Sequence, residues 1–92
     1  MQVADLEMVR AVRREMARHN IDTSESSVSA MHGVVHLNGR VRPIRGHEDE
    51  FLEEIHALHR CLRQRTGIRD VIMEWSADGY NLGDMSSVRS RT

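Results

Sequence analysis

Between Ser27 and Arg42 apolar residues recur at every second position, interrupted once by His32-Gly33. Val28 and Ala30 alternate with Ser27, Ser29 and Met31; Val35, Leu37 and Val41 alternate with Val34, His36, Asn38 and Arg40. Successive side chains of a strand point to opposite faces, so this period of two marks two half-buried strands. A glycine beside a short polar residue suits the tight connection between them. Gly39 takes an inward position on the second strand, where a missing side chain implies a bulge or a close approach by a packed helix. Pro43 has no N–H for the ladder and ends that strand.

The segments on either side have helical spacing. At ~100° per residue, Met8, Val9, Val12 and Met16 share one side of a helix from about Ala4 to His19, with Leu6 at its edge. Arg10, Arg14 and Arg18, flanked by Arg13, fall on the other side with Glu7 among them. Asn20 suits a left-handed stop, and the polar stretch Asp22–Ser27 has no periodicity and reads as a loop. A second helix is expected over His47–Arg65, where Phe51, Ile55, Leu58 and Leu62 form a buried stripe. Acids fill its first turn and arginines its last, as the helix dipole favours, and Thr66-Gly67 closes it. Ile68–Trp75 alternates again, with Val71, Met73 and Trp75 on one face and Asp70, Ile72 and Glu74 on the other.

The order α-β-β-α-β predicts an α+β, two-layer sandwich: a three-stranded mixed sheet with both helices on one face. The third strand, reached through a helical crossover, is expected to run parallel to one of the hairpin strands. The expected core joins Val35, Leu37, Phe51, Ile55, Leu58, Leu62, Val71 and Met73 to Val9, Val12 and Met16. Residues 1–77 form the expected domain, and residues 78–92, rich in Gly, Ser, Asp and Arg, a flexible tail. A chain of 92 residues has room for one core and no deep enclosed pocket.

At this point the residues resemble a known family. Val28-x-Ala30-x-x-Gly33-x-Val35-x-Leu37-x-Gly39-x-Val41 is similar to the central hairpin of bacterial BON domains. Gly67-Ile68-x-x-Val71 looks like the closing strand of that family, and the acidic amphipathic helix lies between the two. The resemblance covers about residues 5 to 76. It implies a non-catalytic module for phospholipid surfaces or other large ligands, of the kind found in osmotically induced periplasmic proteins and secretins. It supplies no invariant polar site. The chain differs in having one copy where tandem copies are common, and in showing no export signal or lipidation cysteine.

Charge and chemistry narrow the function further. All 13 basic residues are arginine, and with 14 acids the net charge is −1, so electrostatic specificity has to come from local segregation. The clearest case is the arginine face of the first helix, Arg10, Arg13, Arg14 and Arg18, which suits an anionic membrane surface. A basic loop, Arg40 to Gly46, precedes the second helix, but Glu48, Asp49 and Glu50 follow at once and would repel phosphate. Three positive charges beside a triple acid make no continuous basic track, so no nucleic-acid partner is expected. On the helix-free sheet face, Met31, Val34, His36 and Ile72 form a candidate interaction face, suited to a weak homodimer or another protein partner.

Catalysis is not expected. The serines cluster at Thr23–Ser29 and Ser86–Ser90, and no phosphate loop or dinucleotide fingerprint is present. His56 and His59 lie ~60° apart on the second helix, but Cys61 lies ~160° from His59 and cannot join them, so no metal or other cofactor is expected. A single cysteine excludes an internal disulfide. Met1–Arg10 lacks the layout of a signal peptide and no run reaches the length of a membrane span. The expectation is a cytoplasmic location as written, or a periplasmic or membrane-associated one for a fragment of a longer family member.

Overall fold

The computed structural model describes residues 3–82. Its elements are α1 (Val3–Ala17), β1 (Ile21–Met31), β2 (Val34–Pro43), a single 3₁₀ turn (Glu48–Glu50), α2 (Phe51–Arg63) and β3 (Asp70–Ser76). The sheet order is β1-β2-β3, with β1 antiparallel and β3 parallel to the central β2. The α+β class, the order of elements and the mixed three-stranded sheet are those expected. Each follows from the periodicity: apolar residues at period two built the strands and those at helical spacing built the layer above them.

The inward strand residues Ala30, Val35, Leu37, Val41, Val71, Met73 and Trp75 share one core with Val12 and Met16 of α1 and with Phe51, Ile55, Leu58 and Leu62 of α2. Both helices therefore cover the same face. Val9, expected in the core, is half-buried and packs against its edge. The turn has positive φ at both His32 (52°) and Gly33 (83°), as a type I′ hairpin requires. The first turn of α1 is tied to it, because the backbone N–H of His32 donates to Asp5 Oδ1 at 3.2 Å.

The main departure from expectation is at β1. Asp22–Ser27, read as a loop, belongs to a strand that begins at Ile21. These residues pair with the far end of β2: Ile21 opposite Pro43, Asp22 opposite Arg42, Glu25 opposite Arg40 and Ser26 opposite Gly39. Their polar side chains sit at a sheet edge and bury little, so no alternation records the pairing. A register shift between Asp22 and Glu25 marks a bulge, where Asp22 Oδ1 accepts from the Ser24 N–H at 3.0 Å and the Ser24 hydroxyl at 2.7 Å. The Ser24 N–H, followed by its hydroxyl, holds the Asp22 carboxyl below its ordinary pKa. An edge strand broken by a bulge and carrying charges resists pairing with another chain.

Gly39 shows what approaches it. A Cβ there would lie 2.5 Å from the Glu25 carbonyl oxygen and 2.9 Å from Ser26 Cα, so the neighbour is the bulged backbone of β1, not a helix. The second helix also starts later than expected. Glu48–Glu50 forms a tighter turn, in which the Glu50 N–H donates to the His47 carbonyl at 3.1 Å.

Past β3 the chain stays on the core. Tyr80 N–H donates to the Ala77 carbonyl at 3.1 Å, its ring meets Phe51 edge-on with centroids 4.6 Å apart, and Leu82 is buried. The packed unit thus extends beyond the boundary expected after residue 77. The remainder of the expected tail, residues 83–92 with Ser86–Ser90, lies outside the described residues.

Candidate functional site

The outer side of α1 is set by the same spacing that builds its inner side. Val12 and Met16 are buried, which turns Arg10, Arg13, Arg14 and Arg18 to solvent, and all four are exposed. Arg10 and Arg14, at i and i+4, are neighbours along the helix, and Arg18 follows in the turn after it. Arg18 reaches Glu15 at 3.6 Å while its side chain stays 75% exposed, a geometry that holds little energy in water. Glu7 is exposed on the same side and subtracts one charge. The acids of the chain are concentrated elsewhere, at Glu48, Asp49, Glu50, Glu53 and Glu54 around the start of α2. An open groove of about 500 Å³ along α2 is lined by Glu50, Glu53, Glu54, His56, Ala57 and Arg60.

The basic stretch 40–46, which begins inside β2, already has carboxylates on it. Glu48 Oε1 accepts the Gly46 N–H at 3.0 Å, taking the position an incoming phosphate would need. Arg42 forms an ion pair with Glu25.

The helix-free face of the sheet presents its residues in rows set by the register. Met31, Val34 and Asp70 form one row, Ser29, His36 and Ile72 the next, and Ser27, Asn38 and Glu74 the third. Met31 is 64% exposed, more than any other large apolar residue among those described, whereas Val34, His36 and Ile72 are half-buried by their neighbours. A shallow depression of about 440 Å³ lies against Asp5, Ser29, Ala30, Met31, His36 and Asn38. The four residues expected on this face are thus brought together. They lie on the opposite side of the sheet from the helix layer that carries the arginines, so the two candidate surfaces are separate.

No family model matches this chain, and no curated protein matches it either. The functional reading therefore rests on the surfaces themselves. Among the described residues, no helix is long and apolar enough to cross a membrane.

Of the six histidines, it is His19 that comes near Cys61. Ligand atoms of Glu15, His19 and Cys61 all lie within 4.8 Å of one another. His19 Nε2 is 3.4 Å from Glu15 Oε2, and His19 Nδ1 is 2.9 Å from Glu54 Oε1. Sequence reasoning passed over this cluster. The available signal was the i, i+4 pair Glu15 and His19 on α1, which share a helix face; the partners Glu54 and Cys61 are i, i+7 on α2 and share a face in the same way.

Proposed function

We propose that this chain is a non-catalytic binding module that docks on anionic phospholipid surfaces through the arginine face of α1. The observation that carries the reading is the exposure of Arg10, Arg13 and Arg14 on α1 and of Arg18 in the turn just after it. That helix lies in the outer layer of a two-layer fold, which leaves its arginine side open to a flat surface. Guanidinium groups bind phosphate through planar, bidentate hydrogen bonds, and a chain whose basic residues are all arginine is suited to that contact.

Each basic residue near an anionic leaflet contributes about 1 kcal/mol. Replacing Arg10, Arg14 and Arg18 together by glutamine should therefore lower binding to phosphatidylserine-containing vesicles roughly a hundredfold, at 1.4 kcal/mol per factor of ten. The substituted positions are exposed, so the thermal midpoint should stay close to that of the wild type. Co-sedimentation measures the first and a melting curve the second. Unchanged binding by the folded triple variant would remove α1 from the contact.

A second reading, self-association, is favoured by Met31 and its half-buried neighbours Val34 and Ile72 on the helix-free face. Burying one Val or Ile side chain contributes roughly 1.5–3 kcal/mol, and a two-fold pair of faces doubles each contribution. Association costs about 4–15 kcal/mol, so the expected dimer is weak and concentration-dependent. Val34→Glu should abolish it by placing like charges across the axis. Sedimentation equilibrium up to millimolar concentration is the test, and a wild-type chain that stays monomeric throughout rejects this use of the face.

A further inference from the structure

We propose that Glu15, His19 and Cys61 form a binding site for a zinc-type divalent cation between the two helices, with Glu54 orienting the imidazole. The donor set is one carboxylate oxygen, one imidazole nitrogen and one sulfur, with all ligand atoms within 4.8 Å of one another. Mixed N, S and O donors select a borderline-soft ion, for which zinc is the common case.

The geometry of the histidine carries the inference furthest. A carboxylate can only accept, so the 2.9 Å contact between His19 Nδ1 and Glu54 Oε1 places the ring proton on Nδ1. In the neutral ring, Nε2 is then left with a lone pair, and that nitrogen faces the Glu15 carboxylate at 3.4 Å. The gap between that nitrogen and the carboxylate oxygen is wide enough for a bound cation to span. With metal–ligand bonds of about 2.1 Å, the edge of a tetrahedron is about 3.4 Å, so the Glu15–His19 pair already has the spacing that tetrahedral coordination requires. Cys61 is exposed on α2 two turns beyond Glu54, with its sulfur within 4.8 Å of the other two ligand atoms. A histidine ligand whose second nitrogen donates to a carboxylate is the usual supporting arrangement around zinc, and it fixes both tautomer and ring orientation.

The site is partly shielded. The His19 and Glu15 side chains are 11% and 16% exposed, which lowers competition from solvent for the ion. Three protein ligands leave a fourth position for water. The cation would join the end of α1 to α2 at a point where the helix layer has no covalent tie, and so would stabilise the native chain in proportion to its concentration. A proton on Nε2 is the competing occupant of the same gap. It makes no use of Cys61, and that difference separates the two.

The test is a titration of the full metal-free chain with Zn²⁺, followed by calorimetry, and with Co²⁺, followed by absorption. The site predicts one ion per chain, a near-ultraviolet thiolate-to-cobalt charge-transfer band, and a higher thermal midpoint. Cys61→Ser should abolish the band, and Cys61→Ser and His19→Ala should each weaken Zn²⁺ binding at least tenfold. Glu54→Gln should weaken it about 10- to 100-fold, and His36→Ala on the opposite face should leave it unchanged. Circular dichroism confirms that each variant is folded, and the cobalt band of the wild type is read without any substitution. Absence of the band, absence of stoichiometric Zn²⁺ binding at micromolar concentration, or full binding by Cys61→Ser would each overturn the site.

Discussion

Phe51→Ala is expected to destabilise the chain by about 3–5 kcal/mol, the range for truncating a buried phenylalanine. Phe51 is fully buried at the first position of α2, where it begins the stripe continued by Ile55, Leu58 and Leu62. It also receives the Tyr80 ring at 4.6 Å and 64°, an edge-to-face contact that contributes about 0.5–1.5 kcal/mol beyond area burial. The loss therefore includes both the core beneath α2 and the docking of the segment after β3. Domains of this kind are stable by about 5–15 kcal/mol in total, so the variant should lose a large part of its stability in urea. Tyr80→Phe keeps the ring and should stay near wild type. A loss below 1 kcal/mol for Phe51→Ala would mean that α2 does not face the sheet as described.

Gly39→Ala is expected to disrupt the sheet from the other side. Gly39 has φ of +98°, and a Cβ there would lie 2.5 Å from Glu25 O and 2.9 Å from Ser26 Cα. A left-handed conformation costs an L-residue roughly 1–2 kcal/mol. Both contacted atoms are backbone, so the clash is relieved only by parting β1 from β2, and overpacking of this kind adds about 1–3 kcal/mol. Gly46 is the natural control. Its φ is +90°, but nothing lies within 4 Å of a Cβ built there, so Gly46→Ala should show the backbone strain without the clash. Urea unfolding should place Gly39→Ala below Gly46→Ala by more than about 1 kcal/mol. Equal losses would mean that the bulged segment of β1 yields freely.

The parts of the fold that could be read from the sequence are those where burial imposes a period. Val35, Leu37 and Val41 had to alternate because β2 is central and one of its faces is covered, and Phe51 to Leu62 had to follow helical spacing because α2 seals the core. The first half of β1 left no such mark. Its residues are strand because the end of β2 pairs with them, and Asp22, Ser24 and Glu25 pack against little. Tyr80 and Leu82 were hidden for a related reason: two apolar residues in a Gly- and Asp-rich stretch set no period, and only the folded core gives them a place. The surfaces divide in the same way. The arginine line on α1 and the apolar row around Val34 follow from spacing within one element. The meeting of His19 with Glu54 and Cys61 depends on how two helices cross, which spacing along one helix does not contain.

Vesicle co-sedimentation of the wild-type chain across ionic strength tests the electrostatic dock on α1. Charges are screened over about 10 Å at 0.1 M salt and about 3 Å at 1 M. If the arginine face carries the contact, the chain sediments with phosphatidylserine-containing vesicles at low salt, is released as salt approaches 1 M, and ignores neutral phosphatidylcholine vesicles throughout. Binding that persists at 1 M salt, or that is equal on neutral vesicles, would contradict an electrostatic dock on α1.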